Sequence, residues 1–187
     1  MKTSHNSALV IIDIQGNLAQ LMHDKENLFK NVQLLIRGAQ LLNIPIIWTE
    51  QLPDKLGETT QEIGKLLSSQ KPVVKDVFSC ARNGEFNMQI EKIQPEHIML
   101  AGIETHICVY QTASDLLGEK YQVEIVADAT SSRIQSNKKI GLEKIKRSTI
   151  SDANNRVPYQ VYERLFYALL KKCNCHTHQT RFRFKNP

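Results

Sequence analysis

Short, mostly apolar segments, several of them rich in β-branched residues, alternate along this chain with longer amphipathic segments. Five of the apolar segments predict buried strands: 8–13, 44–49, 73–75, 97–102 and 122–128. Strands that are apolar at every position are typical of parallel sheets whose two faces are both covered. The alternation therefore predicts an α/β fold with one domain: a doubly wound, mostly parallel sheet in a three-layer α/β/α arrangement.

The amphipathic segments predict helices, because their apolar residues recur every three or four positions. Pro158 fits the first turn of the last helix, where its fixed φ is favourable. The segment 147–155 has no clear period and could hold a sixth, short strand. The predicted helices are 27–42, 60–68, 86–93, 105–117, 137–146 and a last one from Pro158.

The length of 187 residues suits one domain, placed here at 1–172, followed by a basic and flexible tail at 173–187. Five of the 24 basic residues and none of the 19 acidic ones lie in 171–187. The rest of the chain is formally neutral, so the net charge of +5 comes from its end. A neutral body argues against a nucleic-acid partner, which would require a basic surface.

The apolar segments are far shorter than the roughly 20 residues that cross a membrane. Residues 1–7 are polar and carry no secretory signal, which predicts a cytoplasmic protein without a membrane partner. Four cysteines are too few for a disulfide-stabilised fold and fit a reducing compartment.

Three chemically reactive residues follow predicted strands. Asp13 ends the first strand, Lys75 ends the third, and Cys108 lies six residues after Gly102, at the start of a predicted helix. Ligands of open parallel sheets bind beyond the carboxyl ends of the strands. We therefore expect a carboxylate, an ammonium and a thiol to meet at this edge.

Together these groups would suffice for acyl transfer. A helix N-terminus and the Lys75 ammonium would lower the pKa of the Cys108 thiol, while Asp13 accepts and returns a proton. Backbone N–H groups at the helix start would hold an oxyanion. Each residue also has a purely structural alternative: a helix cap for Asp13, a solvated edge charge for Lys75 and a buried small hydrophobe for Cys108.

The same residues lie in segments that resemble the three signatures of the isochorismatase-like cysteine hydrolases. The signature most specific to the family is the segment 102–109, with the sequence GIETHICV. The segments around Asp13 and Lys75 add support because they precede it in the same order as in the family. The resemblance runs from about residue 8 to residue 135 and is greatest to the isochorismatase domain-containing subgroup. Further matching segments are 49–51, 56–57 and 126–129.

The resemblance implies a catalytic triad of Asp13, Lys75 and Cys108, in which the cysteine attacks an amide carbonyl and forms a thioester. It also implies a cis peptide at Ile103–Glu104, which would direct the N–H groups of Glu104 and Cys108 at the oxyanion. The implied fold has the first strand at the centre of the sheet. Family members need no cofactor for this reaction and usually form homodimers or larger homo-oligomers.

Differences between this sequence and particular family members reduce the range of reactions expected. Members that cleave isochorismate lack the nucleophilic cysteine, so Cys108 argues against that reaction. Nicotinamidases bind a metal through histidines after the second strand, whereas the segment 50–55 has none, so we predict no metal site. Asn137 is the nearest match to a histidine that members often carry. Gln51 and Phe78 follow strand ends and are predicted to line the substrate pocket.

Other motifs have weaker functional interpretations. The segment 173–178 holds cysteine and histidine ligands, but their spacing does not suit a four-ligand zinc site. The segment 180–185 alternates basic and aromatic residues, which suits single-stranded nucleic acid but is short and terminal. His106 is expected to be a pocket wall or surface residue, and Cys80 a nearby thiol without a catalytic role.

These observations predict a hydrolase for a small amide-like, non-peptide molecule. Two alternatives stay open: a hydrolase of the same fold that acts on another carbonyl or ether group, and a catalytically silent binding or scaffold protein.

Overall fold

The centre of the molecule is a parallel sheet of six strands in the order β3-β2-β1-β4-β5-β6. The computed structural model describes residues 6–148 and the backbone of the two residues 159 and 160. The chain starts in the middle of the sheet and winds outwards in both directions, as predicted. The strands are β1 Ser7–Ile12, β2 Ile46–Gln51, β3 Val73–Lys75, β4 His97–Ile103, β5 Gln122–Ser131 and β6 Tyr159–Gln160.

Helices cover both faces of the sheet. They are α1 Gly16–Gln20, α2 Lys25–Leu41, α3 Pro53–Leu56, α4 Gln61–Gly64, α5 Gly84–Ile93, α6 Tyr110–Gly118 and α7 Gln135–Ser148. A 3-10 turn spans Cys80–Arg82, and a π-helical turn spans Thr105–Val109 directly before α6.

The two faces have separate hydrophobic cores because successive side chains of a strand point to opposite sides. Leu9 and Ile11 of β1 pack with the apolar stripe of α2. Val10 and Ile12 belong to the other core, together with residues of α5, α6 and α7. Every residue of β1 is buried, which explains why its sequence is apolar without alternation. The predicted three-layer α/β/α class is confirmed.

Strand β2 lies two residues further along the chain than predicted. Asn43 and Ile44 donate backbone hydrogen bonds to Gln40 and Ala39, so they still belong to the turn that ends α2. At the other end, Glu50 and Gln51 pair with β3 and extend β2 by two residues beyond the predicted end at residue 49. This extension brings Gln51 opposite Lys75.

Other predictions were wrong in detail. The helix predicted at 60–68 is only the single turn of α4, and the short helices α1 and α3 were not predicted. The sixth strand lies at Tyr159–Gln160, where the last helix had been predicted to begin. The rest of that predicted helix and the tail lie outside the described residues.

Candidate active site

Asp13 is placed by the left-handed turn that follows β1. Its φ is +51°, a conformation that aspartate tolerates better than most residues. The residue is buried, with 2% of its surface exposed. Its backbone N–H donates to the carbonyl of Thr49 at 3.3 Å, which ties the turn to the neighbouring strand.

Lys75 forms a buried ion pair with Asp13. The distance from its Nζ to Asp13 Oδ2 is 2.7 Å, and Lys75 is only 1% exposed. The same Nζ donates to Gln51 Oε1 at 2.6 Å and lies 3.2 Å and 3.4 Å from the carbonyl oxygens of Val77 and Phe78. An ammonium has three protons, so these oxygens satisfy it fully. The alternative of a solvated edge charge is therefore wrong.

Cys108 lies in the π-helical turn between β4 and α6 and is 8% exposed. Its thiol lies near the Asp13 carboxylate, close enough for that charge to act on it. Burial and the Asp13 carboxylate raise the pKa of the Cys108 thiol well above its ordinary value, and the opposing effect of Lys75 is smaller. The thiol is therefore neutral at pH 7. Our expectation of a lowered thiol pKa was wrong, because it ignored burial and the neighbouring carboxylate.

Strand β2 contributes two residues that hold the ion pair, and one of them was not predicted. Thr49 donates from Oγ1 to Asp13 Oδ1 at 2.7 Å, and Gln51 accepts from Lys75 as described above. They stand two positions apart and so share one face of the strand. Their parallel pairing with β1 and β3 was the missing information: Ile12 pairs with Thr49, and Gln51 with Lys75.

Cys80 is a second free thiol close to this site. It is fully buried, and its Sγ lies 3.9 Å from Thr49 Oγ1. Its backbone N–H donates to Thr112 Oγ1 at 2.9 Å, which fixes the start of the 3-10 turn. Burial, followed by the charge of Asp13, raises the pKa of Cys80 to about 11.

This raised pKa predicts a pH-dependent stability. The folded chain holds the Cys80 proton more tightly than the unfolded chain, so the stabilising effect is complete below pH 9 and is lost between about pH 9 and about pH 11. For Cys80→Ala we expect the alkaline fall in unfolding free energy to be shallower by about 1.4 kcal/mol per pH unit. Urea unfolding at several pH values measures this slope.

The control is Ile90→Val, which removes one methylene from a buried side chain and leaves the ionisable groups unchanged. Its unfolding free energy should fall by a similar amount at every pH. An unchanged slope in Cys80→Ala would contradict the assigned pKa.

Glu104 connects the loops that follow β4 and β5. The Ile103–Glu104 peptide bond is cis. The buried carboxylate accepts from the backbone N–H of Arg133 at 3.0 Å and from its guanidinium at 3.2 and 3.3 Å. Just before it, Gly102 has a φ of +122°, and a Cβ there would lie 2.1 Å from the carbonyl oxygen of Ile12. Only glycine fits this approach of β4 to β1.

The predicted pocket residues lie at the same sheet edge. Gln51 is held by Gln15, which accepts from the Gln51 N–H at 2.6 Å and donates to its carbonyl at 2.9 Å. Phe78 is 55% exposed, and its own backbone carbonyl faces the Lys75 ammonium. His106 lies in the same π-helical turn as Cys108, with its Nδ1 3.0 Å from Ser132 Oγ.

Among residues 6–148 there is no group of three or more metal-ligating side chains close enough to hold a metal ion. The cysteines and histidines of 173–178 lie outside the described part of the chain. None of the described helices is both long and apolar enough to cross a membrane.

Comparison with known sequences identifies the family. Residues 7–154 match the Isochorismatase domain. The chain belongs to the isochorismatase family. It is 35% identical over 150 residues to the secreted isochorismatase effector Isc1 of Phytophthora sojae, covering 77% of this chain and 70% of that protein. It is 33% identical over 148 residues to isochorismatase domain-containing protein 2 of Danio rerio, covering 79% and 74%.

Solved structures of other proteins have the same fold. The MAR1 ribonuclease of Caenorhabditis elegans superposes with a TM-score of 0.80 at 27% identity, covering 91% of this chain and 84% of that one. The Escherichia coli YcaC protein, described as an octameric hydrolase of unknown specificity, superposes with a TM-score of 0.81 at 18% identity, covering 91% and 82%. Membership of the isochorismatase family supports a hydrolase function for this chain.

Proposed function

We propose that this protein is a cysteine hydrolase that cleaves the C–N bond of a small, non-peptide amide through a thioester on Cys108. The observation that carries the proposal is the buried Asp13–Lys75 ion pair beside the Cys108 thiol. The Cys108 thiol lies near the carboxylate of Asp13, and that carboxylate forms a buried ion pair with Lys75 at 2.7 Å. A nucleophile in contact with an oriented base is the arrangement that acyl transfer requires.

In the first step the sulfur of Cys108 forms a bond to the carbonyl carbon while its proton passes to Asp13. The carbonyl π electrons move to oxygen, where the backbone N–H groups of Glu104 and Cys108 are proposed to donate. The intermediate collapses, the C–N bond breaks, and the leaving nitrogen takes the proton from Asp13. The products of this step are an amine or ammonia and a thioester.

In the second step water attacks the thioester carbon and gives one proton to Asp13. The C–S bond breaks, and the departing sulfur of Cys108 recovers that proton. The net reaction consumes one amide and one water and yields a carboxylic acid and an amine. Protons and electrons balance without any redox partner or cofactor.

The raised pKa of Cys108 is compatible with this chemistry because Asp13 accepts the proton during the attack. The Lys75 charge opposes the other influences and favours the thiolate. As negative charge moves from Asp13 to sulfur, it stays beside the same ammonium, and the buried surroundings strengthen that interaction. Lys75 is therefore proposed to stabilise both the resting carboxylate and the developing thiolate.

The substrate is proposed to be small because the nucleophile lies in a confined position, with Cys108 only 8% exposed. Gln51 and Phe78 are proposed as pocket walls, one polar and one apolar. A homo-oligomer and a cytoplasmic location also remain predictions: E. coli YcaC is described as octameric, whereas the P. sojae relative is described as secreted.

The test uses p-nitrophenyl acetate as an activated acyl donor. We expect a burst of nitrophenolate and one acetyl group on the peptide that contains Cys108, followed by slow release of acetate. Peptide mass spectrometry locates the acetyl group, and a panel of small carboxamides assayed for ammonia release then defines the substrate.

Two results would contradict the proposal. Hydrolysis that survives complete alkylation of Cys108 would indicate a cysteine-independent hydrolase of the same fold. A chain that neither forms an acetyl-enzyme nor hydrolyses any member of the panel would be a silent binding or scaffold protein.

A further inference from the structure

A buried threonine of β2 contacts the proposed base from the side opposite the ion pair. Thr49 is 1% exposed, and its Oγ1 lies 2.7 Å from Asp13 Oδ1. Its carbonyl also accepts the Asp13 backbone N–H at 3.3 Å. One residue therefore holds both the main chain and the carboxylate of Asp13.

The direction of these hydrogen bonds follows from the chemistry of the partners. An ionised carboxylate only accepts, so the Thr49 hydroxyl proton points to Asp13. The hydroxyl oxygen keeps free lone pairs, and the Cys80 thiol at 3.9 Å donates to one of them. Thr112 accepts a hydrogen bond from the Cys80 backbone and so holds Cys80 in place. The Cys80 thiol in turn helps to fix the orientation of the Thr49 hydroxyl.

We propose that Thr49 is a positioning residue for the acyl-transfer reaction. This inference rests on the proposed function, in which Asp13 takes the Cys108 proton. With Oδ1 held by Thr49 and Oδ2 held by Lys75, the carboxylate cannot rotate about its Cβ–Cγ bond. The Cys108 thiol therefore meets a base whose orientation is fixed before substrate arrives, which lowers the cost of reaching the transition state.

The position of Thr49 in the strand supports this role. Gln51, two residues along, holds the Lys75 end of the same ion pair at 2.6 Å. Alternate residues of a strand share a face, so β2 supports both charges from one rigid element. Gln15 in turn fixes the backbone at Gln51.

The test compares Thr49→Val with Thr49→Ser. Valine keeps the branched shape and loses the hydroxyl, whereas serine keeps the hydroxyl and loses a methyl group. We expect the rate of Cys108 acetylation by p-nitrophenyl acetate to fall about 10- to 100-fold in Thr49→Val, because the lost hydrogen bond is to a charged group. In Thr49→Ser it should stay within about threefold of wild type.

Urea unfolding of both variants separates positioning from folding. Equal losses of rate in the valine and serine variants would overturn the proposal, since shape rather than the hydroxyl would then matter. A wild-type rate in Thr49→Val would overturn it as well.

Iodoacetamide labelling distinguishes failure of this inference from failure of the proposed function. Alkylation of Cys108 near neutral pH needs the same proton transfer to Asp13 but no acyl chemistry. A wild-type chain that is alkylated at Cys108 but never acetylated would refute the hydrolase. Slow alkylation of Cys108 in Thr49→Val, with a rate near wild type in Thr49→Ser, would then still support the role of Thr49. Equal alkylation rates in the two variants would overturn it.

Discussion

Cys108→Ala should lower the rate of nitrophenolate release from p-nitrophenyl acetate by at least about 1000-fold, to the level of the uncatalysed reaction. The thiol is the group proposed to form the covalent bond, and alanine leaves Asp13 with no nucleophile to deprotonate. The acetylated peptide should disappear from the mass spectrum at the same time. Stopped-flow absorbance measures the burst, and peptide mapping measures the acetyl group.

The matched control is the double variant Cys173→Ala with Cys175→Ala, which removes two thiols of the predicted tail. We expect it to keep the wild-type burst. A burst that persists in Cys108→Ala, or that vanishes in the tail variant, would mean that another group is acylated.

Lys75→Met should lower the free energy of unfolding by about 3–5 kcal/mol, the usual effect of removing one partner from a buried ion pair. Methionine fills a similar volume but leaves the Asp13 carboxylate, 2% exposed, without its ammonium partner. The Oε1 of Gln51 loses its donor as well. Urea unfolding at pH 7 measures the loss.

Two further variants show whether the effect belongs to the ion pair. Lys71→Met alters an exposed lysine four residues away and should change the unfolding free energy by less than about 0.5 kcal/mol. Lys75→Met combined with Asp13→Asn should cost less than the sum of the two single losses, because no unpaired charge remains. Strict additivity would contradict a coupled pair.

The structure changes how the reaction is expected to begin. A preformed thiolate would react with iodoacetamide at neutral pH without a base, whereas in the proposed mechanism Asp13 must first remove the proton of a neutral Cys108 thiol. The pKa of Cys108 is raised because burial and the carboxylate outweigh the lysine. In the proposed mechanism Asp13 is the base and Lys75 its counter-ion, and Thr49 is proposed to orient the Asp13 carboxylate.

The sequence by itself determined the layer architecture and the edge where the site lies. Continuous apolar strands can be buried only when helices cover both faces, and strand-terminal residues such as Asp13 and Lys75 then share one edge. The segment 102–109 by itself indicates the family, and the match over 7–154 confirms it.

Only the tertiary structure decided the register between strands and the balance of charges. The pairing of Gln51 with Lys75, and of Ile12 with Thr49, places two β2 side chains against the ion pair. Local sequence does not encode such pairings, because each one depends on residues far apart in the chain. The same holds for the pKa of Cys108. Its shift combines the effect of burial with the effects of charged groups from three separate segments of the chain.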